Sequence, residues 1–201
     1  METNRLEAFS DGVMAIAITL LVLDLPKPAD LGGESLAHVL AEAWASYASY
    51  IVSFFVIGII WVNHHAMFRF IARADRMLLF LNLVMLLFVT AIPWPTALLA
   101  EHINNGSDSH VAAAIYSGVM FGMSIGFSSV WRWAAWHEHL LDPEVDVAQA
   151  RRTIRRFSIG LFVYLALVGV AFVSAPLTLA LHFVLAIFYV FNQLPVARTT
   201  A

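Results

Sequence analysis

The chain has 201 residues, 61% of them hydrophobic and 12% charged, with a mean hydropathy of +0.79. Soluble domains average about 45–50% apolar and about 25% charged residues, so this composition leaves too little polar surface to cover a water-soluble particle. A net charge of −3 with no basic face excludes nucleic-acid binding, and zero cysteines exclude disulfide frameworks, Cys-ligated metal sites and thiol nucleophiles. An integral membrane protein is left, read as one domain over residues 1–201.

A membrane-spanning helix needs about 20 mostly apolar residues to cross a hydrocarbon core about 30 Å thick. In chain order, segments 8–25, 47–68, 77–99, 111–135, 157–174 and 177–194 satisfy that demand. The first is not a cleavable signal peptide, because Glu2 and Glu7 stand beside Arg5 and Asp11 interrupts the apolar run. Pro93 and Pro95 bend or end the third segment. In the fourth, Gly118, Gly122 and Gly126 fall four apart on one face, where small residues allow close helix approach. Residues 141–156 form a short connection, partly helical after Asp142-Pro143. Only Ala175-Pro176 divides the last two segments, which predicts a tight hairpin. No segment alternates as a membrane barrel strand would. The expected fold is all-α, with six transmembrane helices.

Charge then sets the expected orientation. With the N-terminus inside, the inner segments hold Arg5, Arg69, Arg73, Arg76, Arg132, Arg151, Arg152, Arg155, Arg156 and Arg198, and the outer loops hold only Lys27. This positive-inside bias predicts cytoplasmic termini, and the expected residence is the cell's inner (plasma) membrane. Asp24, Asp30, Glu34, Glu42, Glu101 and Asp108 fall outside, where they either keep loops solvated or concentrate cations. Trp44 and Trp94, near outer ends, and Trp131, Trp133 and Trp136, near an inner end, read as interfacial anchors.

Ionisable and polar groups inside apolar helices are functional suspects. Helix one carries Arg5, Phe9, Ser10 and Asp11. Helix two brings Trp61, Asn63, His64 and His65 to its inner third, and helix three places Asn82 at matching depth. The Asp11 carboxylate is expected to be held by a His or Asn from a neighbouring helix, making a clasp on the inner half of helix one. Adjacent His64-His65 and His137-Glu138-His139 raise a second reading, a membrane enzyme with a metal or haem. Ligands on one helix recur at i+3 or i+4, so neither set chelates by itself. A Ser10–His64 nucleophile pair lacks a third member or oxyanion donor. His38, His102, His110 and His182 read as solvated or packed. A proton-coupled carrier using Asp11 is a third reading, although no repeat or broken midplane helix supports it. Further along helix one, Ile16, Leu20 and Leu23 form one stripe with Thr19 beside it. That stripe is either a packing face or, in symmetric copies, a pore wall.

The run Arg5-x-x-x-Phe9-Ser10-Asp11, continued by Gly12 and by Ala15-Ile16-Ala17-Ile18-Thr19-Leu20, closely resembles the first-helix signature of the lysosomal potassium channel family, transmembrane protein 175, in its bacterial branch. Trp61 with His64-His65, and Arg76 with Asn82, resemble the second and third helices of that family. The resemblance implies a potassium-permeable cation channel and not an enzyme. It would be a homotetramer of six-helix subunits in the lipid bilayer, with the pore lined by helix one. It places the narrowest ring at Ile16, with Leu20 and Leu23 further out and Thr19 contributing to selectivity beside a transient potassium ion. It further implies that Arg5, Phe9, Ser10 and Asp11 brace helix one against Trp61, His64, His65 and Asn82. No cofactor or tightly bound metal is implied, potassium being the permeant ion. No T-V-G-Y-G loop is present, so the expected architecture differs from conventional potassium channels.

Overall fold

The computed structural model describes residues 3–26, 33 and 35–191, with the backbone alone for 156–159. Lys27, Asp30, Glu34, Arg198 and the last residues of the sixth apolar run lie outside the described residues, as does the side chain of Arg156. Among the described residues the chain is helical throughout: α1 (Asn4–Leu20), α2 (Leu36–Glu42), α3 (Trp44–Phe68), α4 (Arg76–Ala91), α5 (Pro93–His102), α6 (Ser107–Trp136), α7 (Val147–Ala171) and α8 (Ala175–Phe191). Short 3-10 turns follow α1 (Leu21–Asp24) and α6 (Glu138–Leu140).

Among the described residues, five stretches are long and apolar enough to cross a membrane: Asn4–Asp24, Trp44–Phe68, Arg76–His102, Ser107–Trp136 and Val147–Ala171. The sixth apolar run forms a shorter helix, the 17 residues of α8. The prolines act where expected. Pro93 opens α5 directly after α4, and only Ile92 separates the two helices, because a proline ring cannot accept the α4 bonding pattern but fits a first helical turn.

Packing centres on α6, which lies against α4, α5, α7 and α8. Its glycines explain how close that packing is. At Gly126 an added Cβ would stand 2.6 Å from the Met85 Cα of α4, and at Gly122 it would run into the Phe88 ring. Gly118 faces open space, so two of the three glycines serve close approach. On its other side α6 pairs with α7, where the fully buried Trp131 donates its indole N–H to Thr153 Oγ1 at 2.9 Å. Trp131 is thus a core residue rather than an interfacial anchor, whereas Trp44, Trp94 and Trp136 are exposed.

At the end of the bundle where α1 begins, which also carries the arginines, the α3–α4 and α6–α7 connections are stitched together. Ile71 pairs with Leu141, the N–H groups of Ala72 and Arg73 donate to Leu140, and Asp142 N–H donates to Phe70. Asp75 caps α4 through Leu78 N–H at 2.7 Å and accepts the Trp133 indole N–H at 3.0 Å. Burial pushes the Asp75 carboxyl up, but those two donors and the neighbouring His137 and His139 outweigh it and hold the group below its ordinary value.

Candidate functional site

Helix α1 has two faces of opposite character. Leu6, Ser10, Met14, Ala17 and Leu21 are buried against α3 and α4, at the three- and four-residue spacing that keeps one side of a helix in contact. The other side is uncovered. Phe9 is 52% exposed, Ile16 61%, Leu20 42% and Leu23 60%, with Gly12 and Thr19 exposed among them. The change to 3-10 geometry after Leu20 keeps this stripe aligned, because residues three apart eclipse in that helix. Thr19 Oγ1 donates to the Ile16 carbonyl at 2.9 Å, so its hydroxyl oxygen keeps lone pairs facing outward.

The buried face is held by side-chain bonds. Asn82 Nδ2 donates to Ser10 Oγ at 2.9 Å, and Ser10 Oγ donates in turn to the Leu6 carbonyl at 2.9 Å. His64 Nε2 stands 3.0 Å from Asn82 Oδ1. A carbonyl oxygen can only accept, so this ring nitrogen carries the proton. His64 also stacks on Phe68, with ring centroids 4.4 Å apart. Ser10, His64 and Asn82 are all essentially inaccessible.

A second, more exposed set lies beside the first. The Trp61 indole donates to Asp11 Oδ1 at 2.9 Å and stacks on His65, while His65 Nδ1 lies 3.9 Å from Glu7 Oε2. Asp11 is therefore met by tryptophan, not by the His or Asn expected from depth alone; Asn82 bonds Ser10 instead, and His64 bonds Asn82. The physical reason is rotation along the helix. Ser10 points into the α3–α4 groove, and Asp11, about 100° further round, points to its rim. Asn63 turns back to its own helix at the Ile59 carbonyl. Arg5 is exposed and forms no ion pair with a described acid.

Glu7 is the member that sequence reasoning missed. Its position four residues before Asp11, on the same face as the rim, was the available signal. In the other histidine set, His137 stacks on Trp133 and meets the His139 ring edge-on at 6.0 Å, while Glu138 turns away to bind Arg151 at 2.8 Å. Among the described residues no three His, Asp or Glu side chains come together as a metal site. His182 is buried, bonded to the Thr178 carbonyl and packed between Tyr116 and Tyr164.

The family model for the endosomal/lysosomal potassium channel TMEM175 matches residues 5–93, the stretch that supplies every side chain of both polar sets. A potassium channel of Streptomyces collinus is 55% identical over 100% of this chain and 97% of its own length. The chain belongs to the TMEM175 family. A solved TMEM175 homologue from Chamaesiphon minutus, described as a lysosomal potassium-selective channel homologue, superposes with a TM-score of 0.82 at 37% identity. That match covers 94% of this chain and 96% of the other. A chicken TMEM175, named an endosomal/lysosomal proton channel, is 34% identical over 69% of this chain and 29% of its own length. TMEM175 membership makes the chain a multi-pass membrane protein of an ion-channel family rather than an enzyme. The all-helical fold expected from composition is the TMEM175 fold.

Proposed function

We propose that this chain is a potassium-permeable cation channel of the plasma membrane, assembled from four copies, with α1 of each copy lining the pore. The observation that carries the reading is the two-sidedness of α1. One face is fixed by buried hydrogen bonds, and the opposite face presents Ile16, Thr19, Leu20 and Leu23 with nothing over them. Copies arranged around an axis would turn that stripe into rings, with Ile16 the narrowest, a constriction that excludes water when closed. Thr19 offers a passing potassium ion its hydroxyl oxygen, and no resident cofactor is needed. In this reading residues 1–201 act as one six-helix channel domain with both termini in the cytoplasm, an orientation supported by ten arginines on one side against a single lysine on the other.

The test is ion flux from proteoliposomes under a potassium gradient, repeated with sodium and then with a proton gradient alone. Potassium flux that exceeds sodium flux, and that Ile16→Trp abolishes, is the expected result. Flux driven by the proton gradient alone would favour the proton permeation that the chicken relative's name suggests. Potassium movement that requires a proton gradient would replace the channel with a carrier.

A further inference from the structure

At the arginine-rich end of the bundle, α6 and α7 run antiparallel in a register that three contacts fix. Trp131 bonds Thr153, Arg151 Nε donates to the Ala135 carbonyl at 3.3 Å, and the Arg151 guanidinium lies 5.0 Å from the centre of the Trp136 ring. Arg132 is one turn before Trp136 on α6, and Arg155 is one turn after Arg151 on α7. Residues four apart share a helix face, so the contact between Trp136 and Arg151 places Arg132 and Arg155 opposite each other, one turn further into the bundle. Both are exposed. Arg151 is neutralised by Glu138, whereas neither Arg132 nor Arg155 pairs with an acid among the described residues.

The depth of this pair identifies its counterion. Helix α6 has 30 residues, about 45 Å of helix against a hydrocarbon core of about 30 Å. Its last turns therefore lie among headgroups, with Trp136, 57% exposed, on the water side and Arg132 and Arg155 one turn nearer the acyl chains. Two exposed guanidinium groups at that level face the lipid headgroups, and their forked donors match phosphate oxygens.

We propose that the groove between α6 and α7, flanked by Arg132 and Arg155 with Trp136 at its edge, binds the phosphodiester headgroup of an anionic phospholipid. The anion is the membrane's own lipid rather than free phosphate, because the pair lies one turn closer to the hydrocarbon than Trp136, at the level of lipid headgroups rather than of bulk water. The inference does not depend on which ion the channel passes.

Lipid retention by the purified, intact protein tests the site, read by native mass spectrometry with phosphatidylglycerol, phosphatidylcholine or inorganic phosphate added. Phosphatidylglycerol is expected to bind in preference to phosphatidylcholine. The R132Q/R155Q double variant should lose that preference by about tenfold, the equivalent of roughly one charge-assisted hydrogen bond. R132K/R155K, which keeps the charge but not the fork, should fall between, and R69Q/R73Q, which removes equal charge at the α3–α4 connection, should bind as the parent does. Three results would overturn the proposal: an undiminished preference in R132Q/R155Q, an equal loss in R69Q/R73Q, or inorganic phosphate displacing the lipid. Because the lysine pair retains both surface charges, its binding decides the question even if the glutamine pair folds poorly.

Discussion

Asn82 uses both ends of its amide, accepting from His64 and donating to Ser10, and no apolar residue of similar size can do either. Asn82→Leu would leave the buried His64 N–H without an acceptor. Ser10 would lose less, because it still donates to Leu6. The expected cost is about 1–2 kcal/mol, the range for hydrogen bonds between membrane helices, seen as a lower unfolding temperature in detergent; an unchanged temperature would remove the clasp as a stabilising feature. Asp75 supplies a pH-dependent counterpart. Its carboxyl is held below the ordinary value, so the stability it adds is present above the unfolded pKa and is lost as pH falls through the folded one. Asp75→Asn should therefore be less stable than the parent at neutral pH, with the gap starting to close below about pH 4. A gap that widened in acid would contradict the assignment.

The elements differ in how well the sequence announces them. Among the described residues each of the six apolar runs is helical, because a long run of Leu, Ile, Val and Phe has no other way to satisfy its backbone in lipid. Which glycine matters was not readable from spacing. Gly118, Gly122 and Gly126 share a face, but only the last two meet α4, since that depends on where α4 crosses. Gly126→Ala should cost about 1–3 kcal/mol, as overpacking does, while Gly118→Ala should be neutral or slightly stabilising in the same unfolding assay. The clasp was half legible. Depth alone brought Ser10, Asp11, His64 and Asn82 to one level, but the rotation that separates Ser10 from Asp11 required the packed helices. Trp131 misled for the same reason, because composition at a helix end cannot distinguish an interfacial tryptophan from one turned inward against Thr153. For α1 as an element, Ile16→Asn should place a polar side chain on the exposed stripe, wet the proposed constriction and raise ion flux. A well-folded variant with unchanged flux would move the constriction elsewhere.

At the scale of the molecule, the uncovered face of α1 asks for neighbours that one chain does not provide. The parent has no cysteine, so single cysteines report cleanly on what lies opposite. Ile16→Cys should cross-link between copies under mild oxidation in the membrane. Phe162→Cys, on the exposed side of α7, should not. Efficient cross-linking at 162 and none at 16 would reverse the proposed arrangement of the subunits. The bonds that hold α1 also have a direction. A hydrogen bond is donated by His64 on α3 to Asn82 on α4, by Asn82 to Ser10 on α1, and by Ser10 to a backbone carbonyl that can only accept. Order is therefore as binding as composition here. An acid at position 82 would match the amide in shape yet present acceptors on both sides, so Ser10 could satisfy it only by abandoning Leu6. Moving this clasp into another helix pair would mean copying the sequence of givers and takers, ending on main chain, and not merely the three side chains.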